Sequence, residues 1–257
     1  MTKNVYTWKE KYEAPALIKK DGVYFMFASQ LSGWDPNDNY YSTASTLSGP
    51  WSTWKKFADS GSNTYASQTT FVLSVGDGFM YMGDRWVSSN LMRSTYIWLP
   101  LQISGTTASM KNAVNWVLDP STGAMTSGST EKSYEGETAT FASGAKSISC
   151  ARCTGGKAAG YVGGASSGTV ILSNVQSSAT TRTTIRIKYL NGDKSQRYAE
   201  VSVNGKSQKV AFLPHGGGDP ASSVVHVALN QASNELKIGV SNGAWGPDVD
   251  RVMVPQS

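Results

Sequence analysis

The chain has 257 residues, of which 39% are hydrophobic and only 16% charged, with 26 glycines. That mix excludes a helical bundle and a disordered chain, and it suits an all-β protein with many turns. The net charge of +5 divides as +1 over residues 1–126 and +4 over 127–257, with the basic residues scattered, so the clustered footprint of a nucleic-acid binder is absent. No run of about 18 apolar residues suggests a membrane span, and Met1 to Lys9 lacks the apolar core of a signal peptide. Nucleic acid and membrane are therefore not expected as partners, and a monomer is expected.

Along the first half, one pattern occurs twice. Asp21-Gly22 precedes Val23-Tyr24-Phe25-Met26-Phe27-Ala28, and Asp77-Gly78 precedes Phe79-Met80-Tyr81-Met82-Gly83. A turn dipeptide followed by an aromatic-rich run predicts a hairpin entering a buried strand. The 56-residue spacing is about one blade of a four-stranded propeller sheet. Composition then changes near residue 126. Seven of the eight tryptophans precede it, and Thr126 to Lys132 is small and polar. The expected division is a propeller part over 1–126, a linker over 127–132 and a second domain over 133–257.

In the second half the pair Cys150 and Cys153, as Cys-Ala-Arg-Cys, could be half a zinc site, a redox pair or a short-loop disulfide. His215 and His226 have no matching zinc spacing and no βαβ context surrounds the pair, so a disulfide is favoured, and with it an oxidising compartment. Short alternating runs follow at 169–172, 184–189, 199–203, 224–229 and 235–240, divided by Asn191-Gly192-Asp193 and Asn204-Gly205. They predict a β-sandwich.

Glutamate is sparse in residues 1–126, where only Glu10 and Glu13 occur. Glu13 stands at a strand entry beside Pro15, which is expected to hold the chain extended and present the carboxyl rigidly. Tyr12-Glu13-Ala14-Pro15-Ala16, Leu31-Ser32-Gly33-Trp34-Asp35-Pro36-Asn37-Asp38 and Leu47-Ser48-Gly49-Pro50-Trp51 together resemble glycoside hydrolase family 43. The Gly-Trp-Asp-Pro-Asn stretch is most similar to the exo-β-1,3-galactanase branch of that family. The resemblance implies a five-bladed propeller that hydrolyses glycosides with inversion, releasing galactose from the β-1,3-galactan of arabinogalactan without a catalytic cofactor. Because the match begins near the third blade, two blades are expected ahead of Met1. Glu13 matches the general acid. Gln68, in Ala66-Ser67-Gln68-Thr69-Thr70, matches the glutamine near the attacking water, as a water-positioning group or a base through its imidic tautomer. Gly33 and Trp34 would contact the galactose ring, with core packing the plainer reading of Trp34. Asp84 and Arg85 are expected as a structural ion pair rather than pocket residues.

The second half has its own resemblance. Ser133-Tyr134-Glu135-Gly136-Glu137, Cys150-x-x-Cys153, Gly160-Tyr161-Val162-Gly163-Gly164, Tyr189-Leu190-Asn191-Gly192-Asp193, Arg197-Tyr198, Val203-Asn204-Gly205 and Pro247-Asp248-Val249-Asp250-Arg251-Val252 are similar to carbohydrate-binding module family 35. This implies a jelly-roll β-sandwich with structural Ca²⁺ held by Glu135, Glu137 and Asp250, an extracellular location and a polysaccharide partner. Glu135 and Glu137 alternate by two and so share a strand face, where a cation would relieve their repulsion. Loop residues Tyr161, Asn191, Asp193, Arg197, Asn242 and Trp245 would bind sugar. Trp245 lies among glycines outside any alternation, as an exposed stacking ring would. Two other readings stand beside this one, a non-catalytic galactan-binding protein and a structural β-protein without sugar chemistry.

Overall fold

The computed structural model describes residues 4–256, which form two compact units divided between Gly128 and Ser129. In the first, β1 (Tyr12–Lys20), β2 (Val23–Gln30), β3 (Tyr40–Ala44) and β4 (Lys55–Lys56) form one antiparallel sheet in chain order. A second sheet repeats that order with β5 (Gln68–Val75), β6 (Gly78–Arg85), β7 (Thr95–Ser104) and β8 (Thr107–Met110). β9 (Trp116–Leu118) pairs with β10 (Met125–Ser127). Two four-stranded antiparallel sheets in chain order have the form expected of propeller blades. Alternation puts Ala16, Ile18, Phe25, Phe27 and Tyr41 of the first sheet into one core with Val72, Phe79, Tyr81 and Leu99 of the second. Full burial of a side chain such as Phe25, Phe27, Val72 or Leu99 stabilises by about 1.5–3 kcal/mol.

The two hairpins differ from their expected form at one point. Asp21 and Gly22 both have positive φ, at 47° and 83°, as a two-residue hairpin turn of mirror-image type requires. The second turn is Gly76-Asp77, one residue earlier than the Asp77-Gly78 pair suggested, because Gly78 already opens β6. A Cβ on Gly78 would stand 2.0 Å from the Gly123 carbonyl oxygen. Close approach of the loop before β10 explains that glycine.

The second unit is a sandwich of two antiparallel sheets. Its strands are β11 (Glu131–Glu135), β12 (Thr140–Ala142), β13 (Lys146–Ser149), β14 (Lys157–Gly160), β15 (Thr169–Ser177), β16 (Thr181–Leu190), β17 (Arg197–Val203), β18 (Lys206–Phe212), β19 (Ala221–Leu229), β20 (Ala232–Gly239) and β21 (Asp248–Pro255). One sheet runs β13-β14-β21-β16-β19, with β11 also on β21; the other runs β12-β15-β20-β17-β18. The five runs expected from alternation fall within β15, β16, β17, β19 and β20, though Val240 lies one residue past the end of β20. Ile185, Ile187, Tyr189, Val201, Phe212, Ile238, Val252 and Val254 fill the space between the sheets. Of the stretch 127–132, Ser127 ends β10 and Glu131 and Lys132 open β11, so only residues 128–130 lie outside strands. No helix among the described residues is long and apolar enough to cross a membrane.

Candidate functional site

Glu13 sits on β1 opposite Ser29 of β2, at a bulge where the register shifts between Glu13 and Ala16. Pro15 does not simply extend the chain. Ala14 before it turns left-handed, at φ 52°, and the bulge uses a residue that has no N–H to orphan. Gln68 opens β5, which packs beside β1. Its Nε2 donates to Glu13 Oε1 at 2.9 Å and to Ser29 Oγ at 3.0 Å. The orientation of that amide follows from proton accounting. Ser29 Oγ, fully buried, directs its one proton to the Gln30 carbonyl oxygen at 3.1 Å, which can only accept. Towards Gln68 the hydroxyl then accepts, and the amide NH₂ faces Glu13 and Ser29. The Gln68 carbonyl oxygen is left as an acceptor for another group.

The segment before Gln68 is strained and firmly held. Asn63, Thr64, Tyr65 and Ala66 all have φ between 51° and 57°, a left-handed turn costing about 1–2 kcal/mol per residue. Asp38 accepts from the backbone N–H groups of Gly61 at 2.7 Å and Asn63 at 2.9 Å, with Lys56 Nζ at 2.8 Å. Burial pushes the Asp38 carboxyl up, but these donors outweigh it and hold it below the usual carboxylate range. Arg85 donates through Nε and Nη2 to the Tyr65 carbonyl oxygen, at 3.2 and 2.9 Å. This corrects the expected Asp84–Arg85 ion pair, which is absent among the described residues. Arg85 clamps the turn, while Asp84 lines a small cleft with Gly33, Trp34, Asn37, Ala66, Gln68 and Trp86.

Asn39, buried, ties the same region together. Its Oδ1 accepts from Thr69 N at 2.7 Å and Thr69 Oγ1 at 2.8 Å, and its Nδ2 donates to the Asn37 carbonyl oxygen at 2.8 Å. Ser67 Oγ meets Tyr81 OH at 2.9 Å, and burial pushes that phenol up to about 12, so it stays neutral. The residues on either side of Gln68 are thereby fixed. Trp34 is not in the core. It is 54% exposed, follows Gly33 at φ 63°, and meets Trp86 edge-on at 5.4 Å between ring centres. Glu13, Gln68, Gly33 and Trp34 belong to one region, and Ser29, Asn39 and Trp86 join them there. Those three carried no motif signal; only the 3D register reveals them.

In the second unit a cleft of about 350 Å³ is lined by Asp193, Arg197, Tyr198, Glu200, Lys209, Asn242 and Trp245, among others. Arg197 donates from Nε to Asp193 Oδ2 at 2.7 Å and from Nη1 to the Gly246 carbonyl oxygen at 2.8 Å. The guanidinium holds the Asp193 carboxyl below its usual range. Trp245 is half exposed, and Gly164 lies against its ring, where a Cβ would come within 2.5 Å. Tyr161 meets the same indole edge-on at 6.2 Å. Asn191 departs from expectation as a sugar contact. It is fully buried, its Nδ2 donates to the Ser195 and Phe212 carbonyl oxygens, and its Oδ1 accepts from Asp193 N, so it shapes the loop instead.

Cys150 and Cys153 form a disulfide, which anchors the turn leading to Thr154. Thr154 N donates to Asp250 Oδ1 at 2.9 Å. Glu135 Oε2, Glu137 Oε2 and Asp250 Oδ2 are all buried without a hydrogen-bond partner, although Arg251 Nη1 lies 3.4 Å from the last. As they stand, no three His, Cys, Asp or Glu side chains among the described residues are gathered closely enough to hold a metal ion. Glu135 ends β11 while Glu137 lies in the 3-10 turn Gly136–Thr138, so the two do not share the strand face expected of them. Buried carboxylate oxygens without hydrogen-bond partners nevertheless suit a hard cation, which would remove their desolvation cost.

No protein-family model matches the chain, and no curated protein matches it. Among solved structures, the exo-β-1,3-galactanase of Phanerochaete chrysosporium with bound galactose is 36% identical over 95% of this chain and 56% of that one, with a TM-score of 0.62. A variant of that enzyme with β-1,3-galactotriose matches with the same identity and shares of each chain and a TM-score of 0.64. A family 35 carbohydrate-binding module from Clostridium thermocellum matches at 21% identity, covering 48% of this chain and 98% of that module, with a TM-score of 0.44. This chain spans about half the length of the galactanases it matches.

Proposed function

Starting from that kinship with the family 43 exo-β-1,3-galactanases, which extends over both units, we propose that this chain carries the acid side of an inverting galactanase together with a galactan-binding module. The observation that carries the reading is the Glu13–Gln68 contact. Glu13 serves as general acid. It starts protonated on Oε2, and its Oε1 accepts from Gln68. In an inverting pair of carboxyls the two groups stand about 6.5–9.5 Å apart, with water between acid and base. Gln68 touches Glu13 directly, so the attacking water belongs on the other side of the amide, at the carbonyl oxygen that Ser29 turns outward.

A proton relay follows. Glu13 gives its proton to the glycosidic oxygen as the bond to the anomeric carbon breaks, and water adds to that carbon from the opposite face. The water's proton passes to Gln68 Oε1, and an Nε2 proton passes across the 2.9 Å contact to the carboxylate that Glu13 has become. That proton stands on Oε1, so Glu13 is ready again once exchange with solvent has moved it to Oε2 and returned Gln68 from its imidic form to the amide. Trp34 supplies a ring face for the galactose, and Trp86 backs it.

In the second unit Trp245, Tyr161, Asn242, Asp193 and Arg197 bind galactan. Ca²⁺ held by Glu135, Glu137 and Asp250 fixes the turns beside them. Its role is structural, and the protein is exported and monomeric.

The test is galactose release from β-1,3-galactotriose by this chain and by Glu13→Gln. Release by the first and not the second supports the reading. If neither releases galactose while calorimetry detects galactan binding, the chain is the non-catalytic binder of the alternative reading.

A further inference from the structure

Resting on the reading of the second unit as a sugar-binding module, we propose that its cleft contains a second subsite floored by Tyr198, so that it takes at least two consecutive sugar residues. β17 pairs with β20 with Glu200 opposite Gly239. Tyr198, two residues earlier on the same strand face, therefore falls where the chain leaves β20 for the Ser241–Trp245 loop. Lys209 of β18 stands opposite Glu200. Tyr198, Glu200 and Lys209 line the same cleft as Trp245, Asn242, Asp193 and Arg197.

The cleft thus has two aromatic floors. Trp245, 50% exposed, serves the loop end; Tyr198, 45% exposed, serves the sheet end. Packing does not explain Tyr198. Its neighbours Ala199, Val201 and Val203 point into the core, and its own ring points away from it. A volume of about 350 Å³ lies within the range of clefts that hold drug-sized molecules, which are the size of a disaccharide rather than a single sugar. Polar groups flank the ring as an oriented sugar needs. Glu200 offers acceptors, and the Lys209 ammonium stands 4.5 Å from the Tyr198 ring centre. A pyranose stacked on Tyr198 takes that place over the ring and receives the ammonium at its hydroxyls, exchanging a solvent-exposed cation–π contact for charge-assisted hydrogen bonds.

The experiment is calorimetric titration of the full chain in a Glu13→Gln background, which prevents turnover, with galactose and with β-1,3-galactotriose. Before further substitution, the galactotriose should bind about tenfold more tightly than galactose, the scale of one added aromatic contact. Tyr198→Ala should remove that advantage and leave galactose binding unchanged, whereas Tyr198→Phe, which keeps the ring, should retain it. The partly exposed position makes the alanine variant safe to fold. Equal affinity for both sugars before substitution, or an equal effect of Tyr198→Ala on both, overturns the second subsite. Absence of any sugar binding, or binding untouched by Trp245→Ala, instead overturns the underlying reading of the module.

Discussion

Asn39→Ala tests whether the strained approach to Gln68 is held by a single buried amide. The substitution removes the acceptor of Thr69 N–H and Thr69 Oγ1, and the donor to the carbonyl oxygen of Asn37 and, at 3.4 Å, that of Ser67. The Thr69 hydroxyl can rotate, and the Asn37 carbonyl keeps Thr64 Oγ1 at 3.1 Å. The Thr69 N–H has no such escape, because Thr69 is 1% exposed. An orphaned buried donor costs about 1–3 kcal/mol, and each further lost bond about 1 kcal/mol, so the first unit should lose about 3 kcal/mol. Seven of the eight tryptophans lie in residues 1–126, so tryptophan emission during urea unfolding reports that unit. With an m-value of about 2 kcal/mol/M, the midpoint should fall by about 1.5 M. Asn39→Asp keeps the acceptor but sets a carboxylate against two carbonyl oxygens, and should be no better than alanine. A midpoint shift below about 0.3 M for Asn39→Ala would refute the clamp.

Ser29→Ala frees the Gln68 amide to rotate, and should lower kcat for galactose release about tenfold, or about 1.4 kcal/mol, with KM little changed. An unchanged kcat would show that Ser29 does not set the amide's orientation. Burial pushes the Asp248 carboxyl above its usual range, outweighing Arg197 and His215. Its stabilising contribution is thus present below the ordinary aspartate pKa and is lost as pH rises through the raised folded value. Asp248→Asn should accordingly raise the melting temperature of the second unit at pH 7, with the gain vanishing below about pH 4; a gain constant over that range contradicts this. For calcium, excess EGTA should lower the second unit's calorimetric transition by several degrees relative to saturating Ca²⁺, and Glu137→Gln should remove the difference. No EGTA effect on the unsubstituted chain argues against a structural cation there.

Much of the fold was legible because it rests on two-residue periodicity and turn chemistry. Runs such as Thr184 to Tyr189 alternate cleanly, since one face meets the core and the other meets water, and β16 follows them. The short strands β12, β13 and β14 were not legible. They are three or four residues long, and their burial follows from what packs above them rather than from their own pattern. The exact hairpin turn at Gly76-Asp77 was missed for a related reason. The constraint on Gly78 comes from Gly123, 45 positions away, and no local signal carries it.

The same divide runs through the site. Glu13 and Gln68 could be named from the segments around them, yet their contact depends on β1 and β5 lying side by side with a bulge at Ala14. Ser29 has no motif at all. It matters because it is opposite Glu13 in the β1–β2 register, and because its only proton is engaged by the Gln30 carbonyl. Asn191 shows the converse. An asparagine beside a glycine in a loop reads as a ligand group, but its amide closes the loop on the Ser195 and Phe212 carbonyls. Polar residue type reveals which chemistry is available at a position; only the hydrogen bonds already made decide whether any of it is left for a substrate. By that criterion Gln68, with its carbonyl oxygen turned away from both of its partners, is the residue in the first unit best prepared to receive one.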